Sequence, residues 1–123
     1  MMTDQLEQRI RSTLRQLSEA QVADLARVLE RLVAALGPER IYVFGSQARG
    51  EATLDSDIDL LLVVPPTDVP GYRLDQAAYS AAGSHSLRLD ILVMPQEEFE
   101  WRARALSSLP ATVLREGQVL YAA

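Results

Sequence analysis

Strands alternating with helices predict a mixed β-sheet with helices packed on it. Three observations carry that expectation. Two amphipathic stripes at helical spacing fill residues 3–36. Three apolar runs rich in β-branched residues follow, each ended by Gly or Pro. Helical patterns occupy the intervals after the second and third runs. At 123 residues the chain is expected to form one domain over 1–123, with a helical segment at 1–36 and the core at 37–123.

Taken in order, Leu6, Ile10, Leu14 and Leu17 share a face of the first helix. A second helix begins at Ser18, where Gln21 three residues on completes a capping box. Its apolar set is Val22, Leu25, Leu29, Leu32, Val33 and Leu36, and Gly37-Pro38 stops it. Both stripes read as core-facing. Residues 41–44 form a first strand and 57–64 a second, ended by Pro65-Pro66 because proline donates nothing to a ladder. A helix over about 70–82 has Leu74, Ala77, Ala78 and Ala81 as its packing face, and Gly83-Ser84 ends it. A third strand covers about 86–94, Pro95 opens a helix reaching Leu106, and a short helix near 108–116 precedes a last strand at Gln118–Tyr121.

Composition narrows the function classes. Apolar residues make up 48% and charged residues 24%, ordinary for a globular chain and far from the disordered range. The net charge of −5 and the lack of a dense basic run argue against direct nucleic-acid binding. All 12 basic residues are Arg, which leaves Arg as the only fixed cation for phosphate. Without Cys, disulfides and thiolate metal sites are excluded. Neither a signal peptide nor an apolar run near 18 residues is present, so a soluble cytoplasmic protein is expected.

The chemistry concentrates in 45–59. Gly45 and Ser46 break the first strand, and a Gly there lets backbone N–H groups approach a phosphate. Ten residues later come Asp57 and Asp59, opening the most apolar strand. Side chains alternate along a strand, so both carboxylates face one way with Cα atoms roughly 6.5–7 Å apart. Asp90 lies in the middle of the third strand. Turn or surface roles suit Asp55 and Asp68, which adjoin turn residues. They suit Asp57, Asp59 and Asp90 poorly, because charges are depleted from strands of Leu, Ile and Val. Burying such a charge unpaired costs several kcal/mol, which calls for a metal, a basic partner or a cleft. Hard oxygen donors on a rigid face suit Mg²⁺. His85 in a Gly-Ser-His-Ser turn reads as a surface residue, Phe99 and Trp101 as core or interface, and Arg102 and Arg104 as a solvated helix face.

This pattern resembles the nucleotidyltransferase signature of the DNA polymerase β superfamily, and in particular its minimal nucleotidyltransferases. Phe44 to Gly50 and Ser56 to Leu60 match that signature, and similarity extends from about Gly37 to Tyr121. The resemblance implies the polymerase-β-like α+β fold with its active carboxylates at a sheet edge. It implies that Asp57 and Asp59 hold a Mg²⁺ on the triphosphate of ATP. Asp90 would help hold a second Mg²⁺ that activates an acceptor hydroxyl. Gly45 and Ser46 would hold the β- and γ-phosphates, with Arg49 a further candidate for phosphate.

Minimal nucleotidyltransferases commonly accompany a helical HEPN-type ribonuclease toxin, as antitoxins that transfer AMP to one of its tyrosines. With every matched acidic residue present, an active antitoxin of this kind is the leading expectation, with a homo- or hetero-oligomer left open. The toxin half itself would need an Arg four to six residues before a His, and none stands at that distance from His85. Two alternatives remain: a stand-alone enzyme modifying a small-molecule hydroxyl, and a non-catalytic antitoxin acting by occlusion.

Overall fold

The computed structural model describes residues 2–51 and 57–123. The chain opens with α1 (Met2–Thr13) and α2 (Glu19–Leu36), which pack on each other. The capping box at Ser18 is present: its hydroxyl accepts from the Gln21 N–H at 3.1 Å, and its own N–H donates to Gln21 Oε1 at 2.8 Å. Gly37 ends α2 in the left-handed region, and its N–H donates to the Val33 carbonyl. Next come β1 (Arg40–Phe44), α3 (Gly45–Arg49), β2 (Ile58–Val64), α4 (Gly71–Ala82) and β3 (Leu89–Pro95). The described chain closes with α5 (Gln96–Arg102), α6 (Leu109–Glu116) and β4 (Gln118–Ala122).

The strands form a mixed sheet in the order β3-β2-β1-β4, with β2 and β3 parallel and the other pairs antiparallel. Strand β2 is central and apolar on both faces, which is why it reads as a continuous Leu/Val run. One face carries Ile41, Val43, Ile58, Leu60, Leu62, Ile91 and Val93 under α1, α2 and α4. The other carries Tyr42, Leu61, Val63 and Met94 under Phe99 of α5 and Val113 of α6. Tyr42 and Phe99 stack there with ring centroids 5.7 Å apart. Each fully buried Leu, Ile or Val contributes about 1.5–3 kcal/mol of apolar burial.

Several expected boundaries move, each for a local reason. Asp57 lies just before β2 rather than within it. Strand β3 starts at Leu89 instead of about residue 86, because the Ser86 N–H and hydroxyl both donate to Asp24 on α2 and draw that segment away from the sheet. Pro95 closes β3 and is the N-cap of α5. The helix expected to reach Leu106 ends at Arg102, where the backbone bonds tighten to Arg104→Trp101 and Ala105→Arg102. On α4 the buried row is Leu74, Ala78 and Ala82, at four-residue steps, and Ala77 is exposed. Where a Gly-Ser turn was expected after β1, Gly45 opens the short helix α3.

Candidate active site

Among the described residues, no helix on the face of α5 and α6 covers one end of the sheet. Those helices sit over Leu61, Val63 and Met94, farther along β2 and β3. Asp59 and Asp90 occupy the same face near the start of those strands. In the parallel register Asp59 lies directly opposite Asp90, and on the other side it pairs with Phe44, the last residue of β1. Neighbouring strands run about 4.8 Å apart, so the two carboxylates are held side by side.

Gly45 follows Phe44 with φ +73. A Cβ built there would collide with Asp59 Oδ2 and stand 3.3 Å from Asp59 Cγ. Glycine is therefore required twice, for the left-handed backbone and for the space Asp59 fills. The first motif residue thus shapes the seat of the second carboxylate. Ser46 is partly exposed, and its hydroxyl makes no hydrogen bond among the described residues. Gln47 is buried and accepts from the Gln16 amide, which ties α3 to the turn between α1 and α2.

The three aspartates differ in their surroundings. Asp59 is partly buried, and its carboxyl is pushed above its ordinary value, first by burial and then by the charges of Asp90 and Asp57. Arg49 opposes that rise. Asp57 is exposed, with Oδ1 at 3.0 Å from Arg88 Nε. Asp90 is also exposed, and its Oδ1 accepts from the Tyr79 hydroxyl at 3.3 Å. The burial anticipated for all three from their apolar neighbours applies only to Asp59. The other two stand where the sheet runs out into solvent. Arg49 rests between Glu51 at 3.3 Å and Glu116 at 4.0 Å, close enough for its charge to be felt at Asp59.

Among the described residues, no group of three or more acidic or histidine side chains is placed to hold a metal between them. Asp59 and Asp90 stand together while Asp57 is engaged by Arg88. The donor chemistry nevertheless fits a hard divalent cation: all carboxylate, with mutual repulsion at Asp59 that a cation would relieve. Asp55 and Ser56, the latter part of the matched signature, lie outside the described residues.

Comparison with known proteins fits this geometry. The family described as "Nucleotidyltransferase domain" matches residues 24–120. The chain belongs to that family. The sheet-end carboxylates stand in the part of the chain that matches. A Methanocaldococcus jannaschii protein named "Putative protein adenylyltransferase" is 37% identical over 57 residues. That match covers 46% of this chain and 56% of the relative, so the chain spans little more than half the relative's length. A crystal structure described as a nucleotidyltransferase from Sulfolobus solfataricus superposes with a TM-score of 0.58 at 21% identity, over 93% of this chain and 86% of that one. That likeness concerns the fold. A chain of a toxin–antitoxin complex with AMP-PNP aligns at a TM-score of 0.45 and 23% identity, over 78% of this chain and 72% of that one, too distant for a comparison of detail.

Sequence reasoning passed over three residues of this candidate site. Arg88 and Tyr79 were invisible because each acts across elements, onto Asp57 and Asp90. Gln47 was signalled faintly, as a polar side chain inside the matched motif whose neighbour Ala48 is buried.

Proposed function

We propose that this nucleotidyltransferase moves AMP from ATP, with Mg²⁺, to a tyrosine hydroxyl of a HEPN-type toxin, and so serves as its antitoxin. The observation that carries the reading is the in-register pair Asp59 and Asp90 with Gly45 pressed against Asp59. Protein as the acceptor is supported by the name of the Methanocaldococcus relative. The acidic balance of the chain suits a partner with a basic, RNA-binding surface, since opposite potentials steer encounter. A cytoplasmic setting belongs to the same reading; no helix among the described residues is long and apolar enough to cross a membrane.

In this scheme Asp57, Asp59 and Asp90 would hold the cation, and Asp57 would give up its pairing with Arg88 to do so. Bound there, Mg²⁺ would neutralise triphosphate charge and lower the pKa of the acceptor hydroxyl. Gly45 and Ser46 receive the β- and γ-phosphates, the Ser46 hydroxyl being available to donate. Arg49 adds positive charge beside them. The acceptor oxygen attacks the α-phosphorus in line, the bond to the bridging oxygen breaks, and pyrophosphate leaves. Positioning and charge neutralisation supply most of the acceleration in such transfers.

The test is intact-mass spectrometry of a co-encoded helical toxin after incubation with the protein, ATP and Mg²⁺. One added AMP per toxin, located to a tyrosine by fragmentation, is expected, with none from Asp59→Ala. Neutralisation of the toxin by Asp59→Ala without any mass change would refute modification in favour of occlusion. AMP appearing only on small-molecule hydroxyls would refute the protein acceptor.

A further inference from the structure

Strand β3 is a sheet edge, so its outward N–H groups need partners other than a neighbouring strand. Helix α4 supplies them. The Val93 N–H donates to Asp75 Oδ1 at 2.9 Å, and the Ile91 N–H donates to the Tyr79 hydroxyl at 2.8 Å. The spacing is matched. Four residues of helix rise about 6 Å. Two residues of strand rise about 6.6 Å. Asp75 and Tyr79 therefore meet alternate amides of β3 as a two-pronged clamp.

The prongs differ in one respect. A carboxylate only accepts, so Asp75 ends its chain of bonds at Val93. A phenol accepting from Ile91 still has a proton to place, and Tyr79 places it on Asp90 Oδ1. Backbone, phenol and carboxylate form one relay across adjacent residues of the edge strand. Tyr79 is 47% exposed, so its hydroxyl is not there to fill a core. Asp90 Oδ2 makes no hydrogen bond among the described residues.

The geometry points to Tyr79 as the positioning residue of the site, fixing Asp90 through one oxygen so that the other is presented to a divalent cation. The inference rests on the nucleotidyl-transfer reading and deepens it. Without the hydroxyl the Asp90 side chain rotates freely at an exposed edge. A lost partner that orients a ligating group typically costs about ten- to hundredfold in metal affinity or activity.

The experiment compares wild type, Tyr79→Phe and Asp75→Ala. Mn²⁺ is titrated by calorimetry in the presence of a non-hydrolysable ATP analogue, and kcat and KM for ATP are measured separately. Tyr79→Phe is expected to weaken Mn²⁺ binding or lower kcat by about ten- to hundredfold, with KM for ATP within about threefold of wild type. Asp75→Ala removes the other prong; it should lower the melting temperature while keeping wild-type Mn²⁺ affinity and kcat. A Tyr79→Phe protein with wild-type Mn²⁺ affinity and kcat overturns the proposal. So does an Asp75→Ala protein with an equal loss, since edge capping alone would then explain both. Wild type that neither binds Mn²⁺ nor transfers nucleotide overturns the transfer reading as well.

Discussion

Gly45→Ala separates the cost of a strained backbone from the cost of displacing a carboxylate. Gly37 provides the comparison: its φ is +56, and a Cβ there would meet nothing within 4 Å. An Ala in the left-handed region costs roughly 1–2 kcal/mol. For a domain of this size each kcal/mol lowers the melting temperature by about 4 °C, so Gly37→Ala should lose about 4–8 °C and keep its activity. Gly45→Ala carries the same backbone cost at φ +73, plus the collision with Asp59 Oδ2. Relieving it requires the Asp59 carboxylate to shift by about 1 Å, a misplacement that can cost about a hundredfold in rate. Forcing extra volume into a packed site adds a further 1–3 kcal/mol or so. The assay is thermal unfolding together with nucleotide transfer. In an Asp59→Ala background the excess cost of Gly45→Ala over Gly37→Ala should vanish, because the atom it strikes is gone. A Gly45→Ala protein that melts with Gly37→Ala and transfers nucleotide normally would refute the coupling between Gly45 and Asp59.

Two further outcomes concern charge at the same end of the sheet. The raised Asp59 carboxyl binds its proton more tightly in the native state than in the unfolded chain, so its ionisation lowers stability as pH rises from the ordinary carboxylate value through the raised one. Asp59→Asn should melt above wild type at neutral pH, with the gap closing as pH falls through the raised value and gone below the ordinary one; a gap that widens in acid contradicts the assignment. Arg88→Gln should leave the melting temperature within a few degrees, since both partners of the Arg88–Asp57 pair are exposed. The same change should tighten Mn²⁺ binding by up to about fivefold by removing a competing cation; unchanged affinity refutes competition for Asp57.

Much of the fold was legible because its signals are local. Ser18 with Gln21, the Gly37 stop and the Leu/Val run of β2 each declare an element within a few residues. The mixed sheet followed from strands spaced by helices, and the motif pointed to the family whose model matches the chain. What escaped was set by contacts across the chain. The late start of β3 depends on Asp24 reaching Ser86, 62 residues away. The collision that makes Gly45 necessary depends on Asp59 being folded back beneath it. The spacing of Asp57 and Asp59 implied one shared strand face, yet Asp57 stops short of β2 and turns to Arg88. Periodicity places side chains on a face; it does not say where a strand begins.

The three carboxylates are held in three different ways, and the differences explain which of them carries the strain. Asp57 has a guanidinium and Asp90 a phenol. Asp59 has neither; it is packed beside Gly45, opposite Asp90, with no hydrogen bond among the described residues. Repulsion that Arg88 and Tyr79 ease at the rim therefore accumulates on the inner strand, where burial also weakens solvent screening. A stability-driven sequence would place an apolar residue opposite Phe44, as it does with Leu60, Leu61 and Leu62 farther along β2. Retaining a carboxylate there makes sense where function requires it, since sites depart from local folding rules for the sake of their chemistry. A cation entering between Asp59 and Asp90 would relieve the repulsion between them, so the same neighbouring charges that oppose ionisation of Asp59 favour binding a cation there.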